Sequence, residues 1–381
     1  MKYILPDYSN CCVNLMNSVA KHFGLPNSHT TLPIVDKELR KNYKNVVVLL
    51  LDGLGLNILK RHLSPDSFLR SNLKHELSAV YPSSTVPSTV SFKTGLTPIE
   101  HGWWGHFLYF KSLGQTVNVF TNNDMASRKR VLIDDVAHKI MPYTSLLDLV
   151  DEHKKNMKAY MLCPTEARDD FHISQVTYEN FGEMCNYIKT LTSLPEKHLI
   201  YAYHDHPDET MHKFGIDSEE TAKLLVELDS QISSILANCE DTLLLITADH
   251  GQTGLREIRD IADLPEMLEM LEMLPNGCSR ATNFFVKSEY KRQFVKLVHH
   301  YFDDKFLLFS RNEIIKQNLL GLGTPHPEFY NTFGDYMLCA IDNSEITCST
   351  IYGHPAPSPL GVHGGLTIDE MRVPLIIYGK K

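Results

Sequence analysis

The stretch from Val46 to Gly53 limits the possible folds more than any other part of the chain. Six consecutive branched apolar residues run directly into Asp52 and Gly53. Such a run is typical of a central strand buried on both faces of a parallel sheet. Asp52 would then lie at the strand's carboxyl end, where open α/β sheets bind their ligands. From this stretch alone, an N-cap of the helix predicted over Leu56 to Leu63 explains Asp52 better than a metal ligand does.

Helical and strand patterns alternate along most of the chain. The predicted helices are Cys12 to Phe23, Leu56 to Leu63, Thr144 to His153, Tyr178 to Leu191 and Ser218 to Leu236. The other predicted strands include Glu76 to Tyr81, Met157 to Leu162, His198 to Tyr203, Thr242 to Thr247, Tyr336 to Ile341 and Val373 to Tyr378. This alternation predicts an α/β fold, with a mostly parallel central sheet and helices on both faces.

The pattern changes between residues 255 and 335. The segment is first rich in Met, Leu and Glu and later rich in Gly and Pro. We interpret 255–335 as a small α+β cap insertion, and 1–254 with 336–381 as one core domain. The strand from Tyr336 to Ile341 is predicted to return to the central sheet.

Composition excludes several classes of protein. The net charge of -9 argues against a general nucleic-acid binder or a membrane-surface binder. The eight cysteines include no Cys-x-x-Cys pair, which argues against a zinc ribbon and is typical of reduced thiols in a cytosolic protein. The first residues lack the apolar core of a secretory signal, and no apolar run approaches a membrane span. We therefore predict a cytoplasmic protein without membrane contact.

Acids and histidines follow several of the predicted strands. They are Asp52, the pair Asp208 and His212, the pair Asp249 and His250, and His363 in a glycine-rich loop. Since the carboxyl ends of parallel strands meet at one edge, these side chains are expected to lie together. Mixed Asp/His ligation suits Zn²⁺, with Mn²⁺ or Fe²⁺ as competitors. Six ligands are too many for one tetrahedral zinc and match a two-metal site.

Thr85 lies near the start of a further predicted helix. Pro87 suits the first turn of this helix, and Gly95 suits its C-terminal cap. Free N–H groups and the helix dipole at this end favour an anion. From spacing alone, however, a simple cap at Ser84 or Thr85 is the better explanation.

Taken together, these motifs resemble the nucleotide pyrophosphatase/phosphodiesterase (type I phosphodiesterase) family of the alkaline phosphatase superfamily. The resemblance rests on Leu51-Asp52-Gly53, Tyr81 to Pro87, Thr94 to Pro98, Glu100-His101-Gly102, Pro207-Asp208 to His212, Gly215, Asp249-His250-Gly251 and His363-Gly364-Gly365. These residues occur in the family's order. The resemblance implies an alkaline phosphatase-like three-layer sandwich and a hydrolase of phosphodiester or nucleotide pyrophosphate bonds, acting on a small-molecule phosphate ester or nucleotide.

The resemblance also implies a role for each matching residue. Thr85 matches the nucleophile that becomes phosphorylated and also ligates one of two metal ions, most simply Zn²⁺ with Mn²⁺ as the alternative. Asp52, Asp249 and His250 match the other ligands of that ion. Asp208, His212 and His363 match the ligands of the second ion.

One position departs from the family pattern, and it keeps other activities open. Ser88 stands where the family usually has an asparagine that supports a phosphoryl oxygen, so Ser88 is a predicted substrate-binding residue. Trp104 is a second one, because a tryptophan soon after the nucleophile helix can stack on a base or cap the pocket mouth, although packing under the loop explains it at least as well. The alternatives are a phosphomonoesterase or phosphonate hydrolase on the same fold, and a metal-binding or sensor protein without turnover.

Overall fold

A computed structural model describes residues 3–153, 156–167, 174–354 and 358–381. The helices are α1 (Cys12–His22), α2 (Pro33–Leu39), α3 (Leu56–His62), α4 (Phe68–Ser71), α5 (Thr85–Thr94), α6 (Pro98–His101), α7 (Val136–Ile140), α8 (Leu146–His153), α9 (Phe181–Ser193), α10 (Asp208–Phe214), α11 (Glu219–Ser234), α12 (Pro265–Glu269), α13 (Lys291–Phe302), α14 (Arg311–Lys316), α15 (Phe329–Thr332) and α16 (Ile368–Met371). The strands are β1 (Asn45–Leu51), β2 (Leu73–Ser78), β3 (Phe107–Phe110), β4 (Gln115–Asn118), β5 (Asn123–Asp124), β6 (Met157–Pro164), β7 (Gln175–Tyr178), β8 (Lys197–His204), β9 (Thr242–Thr247), β10 (Thr253–Gly254), β11 (Glu257–Asp260), β12 (Asn276–Cys278), β13 (Ala281–Phe284), β14 (Phe306–Ser310), β15 (Tyr336–Ala340), β16 (Ser344–Thr347), β17 (Gly361–Val362) and β18 (Arg372–Lys380).

The central sheet has seven strands in the order β2-β18-β9-β1-β8-β6-β7. β1 lies in the middle, pairs in parallel with β8 and β9, and is buried along its whole length. β18 is antiparallel to both of its neighbours, β9 and β2, whereas the other pairs of this sheet are parallel. The predicted buried strand and the predicted mostly parallel sheet are both confirmed.

Two groups of helices cover the central sheet. α11 packs against α3, α4 and α9, while α5 packs against α1 and α8. The apolar stripe of α11 explains its orientation, because Leu225, Leu228 and Ile232 recur at helical spacing and are fully buried. The predicted three-layer α/β sandwich is therefore confirmed.

A second seven-stranded sheet has the order β14-β15-β13-β12-β3-β4-β5 and is antiparallel throughout. The prediction that Tyr336 to Ile341 returns to the central sheet is wrong, because β15 pairs with β13 and β14 here. A short apolar run identifies a buried strand but carries no information about which sheet it joins. This second sheet thus extends beyond 255–335, to 336–340 and to 107–124.

The cysteines are mostly buried, as predicted. Among the residues that the structure describes, none of the eight cysteines forms a disulfide, and Cys278 alone is more than slightly exposed. Within the same ranges, no helix is both long enough and apolar enough to span a membrane.

Candidate active site

The carboxyl ends of β1, β8 and β9 bring three carboxylates together. Asp52 follows β1, Asp249 follows β9, and Asp208 begins α10 shortly after β8. The N-cap of α3 is Gly55, so Asp52 does not cap that helix. Gly53 has φ +73°, and a Cβ there would lie 2.9 Å from the Cβ of Asp208. A glycine after Asp52 therefore allows the turn and lets Asp208 approach.

A first group of metal-ligand atoms comes from Asp52, Asp249 and His250, whose donor atoms lie within 4.8 Å of one another. His250 Nε2 is 3.3 Å from Asp52 Oδ1 and 3.3 Å from Asp249 Oδ2. Both oxygens are buried without a hydrogen-bond donor. Since a buried carboxylate oxygen without a partner is costly, a cation between these atoms fits the residues present.

A second group surrounds Asp208. His212 Nε2 lies 3.1 Å from one carboxylate oxygen of Asp208, and His363 Nε2 lies 3.8 Å from the other. The donor atoms of Asp208, His250 and His363 converge within 4.8 Å, and the rings of His250 and His363 stack with centroids 3.8 Å apart. His250 therefore lies between the two groups, so the two predicted ligand sets adjoin each other.

The three histidines share one orientation. Each places Nδ1 against a main-chain carbonyl oxygen and directs Nε2 towards the carboxylates. The carbonyls belong to Gly361 at 2.7 Å from His212, Gly251 at 3.0 Å from His250 and Ser83 at 3.2 Å from His363. Because a carbonyl oxygen only accepts, Nδ1 carries the proton and Nε2 has a free lone pair, as metal-bound histidines require.

Burial shifts the titration of these groups when no cation is bound. It raises the pKa of Asp249 to about 7, with the charge of Asp208 adding to the shift. It also raises the pKa of Asp52 well above its usual value, and here the charges of Asp249 and Asp208 add to the shift. Burial lowers the pKa of His363 to about 3. Burial also acts to raise the pKa of Asp208, but the charges of His363 and His212 outweigh it and hold this pKa below the usual value. A divalent cation would favour the charged carboxylates and the neutral imidazoles.

Thr85 lies where these groups meet a cavity. It is the first residue of α5, and its Oγ1 lies 3.3 Å from His250 Nε2. Ser84 is the N-cap but makes no side-chain capping bond, which leaves first-turn N–H groups available to an anion. Thr85, Thr89 and Lys93 lie on one face of α5 and line a cavity of about 680 Å³.

The family described as type I phosphodiesterase / nucleotide pyrophosphatase matches residues 46–312 of the chain. The chain belongs to this family. It is therefore a hydrolase of the phosphodiesterase/nucleotide pyrophosphatase class, as the motifs predicted. No curated protein is significantly similar to it in sequence.

Solved structures of type I phosphodiesterase-like proteins share this fold. Murine ectonucleotide pyrophosphatase/phosphodiesterase 5 is 15% identical, with 88% of each chain covered and a TM-score of 0.66. The human protein of the same name is 14% identical, with 88% of this chain and 87% of that chain covered and a TM-score of 0.66. Phosphonoacetate hydrolase from Sinorhizobium meliloti 1021 is 16% identical, with 87% and 89% covered and a TM-score of 0.61.

The structure does not bring the two predicted substrate-binding residues to the cavity. Ser88 is fully buried, and its hydroxyl donates to the carbonyl oxygen of Asp249 at 3.0 Å. Trp104 is also fully buried, and its indole N–H donates to Thr332 at 3.1 Å. Ser88 supports the turn before His250 and Trp104 packs against α15, so a role of either side chain in substrate binding stays a prediction.

Sequence reasoning missed two side chains at this type I phosphodiesterase centre. Tyr203 lines the cavity and donates its hydroxyl to Asp52 Oδ2 at 2.5 Å. His106 lies close enough for the charges of His363 and His250 to add to burial in lowering its pKa to about 3. Its ring packs edge-on against Phe120 at 5.5 Å, a residue that lines the cavity. Tyr203 could have been suspected from its place at the end of a strand, whereas nothing local marks His106.

Tyr203→Phe is expected to weaken metal binding by about 10- to 100-fold, the usual cost of losing a group that orients a ligand. The hydroxyl fixes one oxygen of Asp52 and leaves the other for the cation. Competition with a chromophoric chelator measures the affinity. Tyr187→Phe is the control, because Tyr187 makes a comparable bond to Glu183 on the surface of α9. Equal affinities for the two variants would show that Tyr203 does not orient Asp52.

Proposed function

We propose that the protein hydrolyses phosphodiester or nucleotide pyrophosphate bonds through a phosphothreonine at Thr85. The position of Thr85 is the main support for this proposal. Its hydroxyl lies beside His250, where the two groups of metal-ligand atoms meet, and Thr85 also lines the large cavity. A nucleophile, an anion-binding helix end and space for a substrate thus occur together.

Seven residues would hold two divalent cations. Asp52, Asp249, His250 and Thr85 would hold one ion, and Asp208, His212 and His363 would hold the other. The mixed oxygen and imidazole donors suit Zn²⁺, with Mn²⁺ as the alternative. When bound, such ions lower the pKa of a coordinated hydroxyl or water and polarise a phosphoryl oxygen.

Thr85 accepts the phosphoryl group, and the start of α5 stabilises the charge on that group. Thr85 Oγ1 loses its proton and forms a bond to phosphorus while the bond from phosphorus to one ester oxygen breaks. The leaving oxygen takes up a proton and departs as the first product, and phosphorus stays on Thr85 with its second ester group. First-turn N–H groups of α5 stabilise the negative charge on the phosphoryl oxygens. Water then attacks phosphorus, the Thr85 oxygen leaves, and the hydroxyl is restored with release of the second product.

The cavity favours esters with a sizeable organic group. Its volume of about 680 Å³ lies within the range of sites for small organic molecules, and Trp103, Tyr143 and Tyr203 supply aromatic surface. In one murine relative of the same fold, an inactive form is in complex with AMP. A monoesterase or phosphonate hydrolase is the second candidate, which the similarity to phosphonoacetate hydrolase favours.

Two chromogenic substrates distinguish these candidates. With Zn²⁺ or Mn²⁺ supplied, bis(p-nitrophenyl) phosphate is expected to be hydrolysed with a higher kcat/KM than p-nitrophenyl phosphate. The cavity beside Thr85 can hold the second ester group, which only the diester carries. A preference for the monoester by several orders of magnitude would overturn the diesterase assignment, and release of phosphate from phosphonoacetate would support the second candidate.

A further inference from the structure

A buried ion pair connects the second sheet to the catalytic centre. Arg280 lies in the turn between β12 and β13, Glu370 lies in α16, and both side chains are completely buried. Arg280 donates Nε to one carboxylate oxygen of Glu370 at 2.7 Å and Nη2 to the other at 2.8 Å. Arg280 Nη1 also donates to the carbonyl oxygen of Ser344 and Nη2 to that of Asp342, each at 2.5 Å. The charge of Arg280 is thus paired with that of Glu370.

Glu370 is bonded to both histidine-bearing turns. Its carboxylate accepts the N–H of Gly365 at 2.7 Å, two residues after His363. Its carbonyl oxygen accepts the N–H of Gly251 at 2.8 Å, one residue after His250.

The contact with the His250 turn is very close. A Cβ at Gly251 would lie only 2.0 Å from the carbonyl oxygen of Asp369, the neighbour of Glu370. The turn therefore has little freedom to move relative to Glu370, and its position is set by the main chain of 369–370.

We propose that Glu370 is a positioning residue, which fixes the His363 loop against the His250 turn and so holds the two imidazoles in their stacked arrangement. Arg280 keeps the carboxylate charged and aimed at Gly365. The inference rests on the proposed function only in treating His250 and His363 as metal ligands. Their separation matters, because ligands that are misplaced by a fraction of an ångström bind a cation less tightly.

Two double variants separate positioning from simple stabilisation. Both carry Arg280→Met, and they combine it with either Glu370→Gln or Glu370→Leu. Each double variant removes both buried charges, so that neither charge is left unpaired. They differ in what the side chain at 370 can accept: the glutamine oxygen can still accept the N–H of Gly365 or the N–H and hydroxyl of Thr367 in the capping box of α16, whereas leucine accepts neither. Thermal unfolding of both proteins measures any difference in stability.

The expected readout is metal affinity, measured without substrate by competition with a chelator. The variant carrying Glu370→Leu is expected to lose about 10- to 100-fold in affinity, and the variant carrying Glu370→Gln much less. In assays at saturating metal, kcat is expected to fall with a smaller change in KM. Equal metal affinities for the two variants would overturn the inference.

Glu370→Asp gives a second route if the leucine variant does not fold. It retains the charge opposite Arg280 but shortens the side chain by one methylene, so that the carboxylate no longer reaches the N–H of Gly365. The same loss of metal affinity is expected, and wild-type affinity would contradict the inference. A wild-type protein that binds metal but hydrolyses no phosphate ester would instead contradict the proposed function alone.

Discussion

Thr85→Ala is expected to lower kcat for a phosphodiester by at least about 10³-fold, because removing a nucleophile usually removes most of the catalysed rate. The loss follows from the position of the hydroxyl, 3.3 Å from His250 Nε2 and at the start of α5. Metal content should fall little, since six other side chains provide ligands. Steady-state rates and metal analysis of the purified variant measure the two effects.

The same helix provides a matched control. Thr94 is as buried as Thr85, at 8% exposed, but its hydroxyl donates to the carbonyl oxygen of Val90. Thr94→Ala should therefore keep its activity, and Thr85→Ser, which retains a hydroxyl, should keep a measurable part. Acid quenching during turnover should trap, on the wild type and on Thr85→Ser, the phosphoryl group together with the ester group that it still carries. Turnover by Thr85→Ala at the wild-type rate would contradict the mechanism.

The fold and the main features of the centre could be predicted from sequence because both depend on local signals. Apolar runs such as Val46 to Leu51 identify buried strands, and the geometry of a parallel sheet places the residue after each strand at one edge. Asp52 and Asp249 are found in this way, since each follows a strand of the central sheet.

Other features depend on tertiary contacts that no local pattern encodes. β15 belongs to the second sheet because it pairs with β13. The sequence of β15 alone is equally compatible with the central sheet and with the second sheet. The hydroxyl of Ser88 donates to the carbonyl oxygen of Asp249, which is 161 positions away in the sequence. The presence of a polar residue at 88 is therefore no evidence by itself that this residue binds substrate. Glu370 likewise meets Arg280 across 90 positions of sequence, and the capping box that it forms with Thr367 does not indicate this contact.

Asp249→Asn is expected to abolish metal-dependent hydrolysis and, at the same time, to stabilise the metal-free protein. Asp249 Oδ1 accepts the N–H groups of Gly53 and His250, and an asparagine oxygen can accept both. Asp249 Oδ2 is buried without a donor, and the variant replaces it with a neutral amide. The substitution therefore removes a ligand atom while it relieves the cost of a buried charge.

The stabilisation expected for Asp249→Asn depends on pH, and the raised pKa of Asp249 determines whether it grows or falls as pH rises. Burial raises the pKa of Asp249 to about 7 in the folded protein, above its value of 3.8 in a model peptide. Between these values the folded state binds more protons than the unfolded state, so the contribution of Asp249 to stability is lost as pH rises. A shift of about three pKa units corresponds to roughly 4 kcal/mol. The unfolding free energy of Asp249→Asn relative to wild type should rise by about this amount from pH 4 to pH 8.

Urea unfolding with a chelator present, repeated across this pH range, measures the difference. The variant retains the other titrating groups of the centre. Removal of the Asp249 charge lowers the raised pKa of Asp52, which changes the difference between the two proteins in the same direction. Asp229→Asn is the control, because Asp229 likewise accepts two main-chain N–H groups, those of Phe68 and Leu69 at the start of α4, and is none of the predicted metal ligands. Added Zn²⁺ should then stabilise the wild type more than Asp249→Asn, since the variant lacks one ligand of the first ion. If the two pH profiles ran parallel in the metal-free state, the cation would not be compensating a buried carboxylate at Asp249. The case for Asp249 as a metal ligand would then lose its energetic basis.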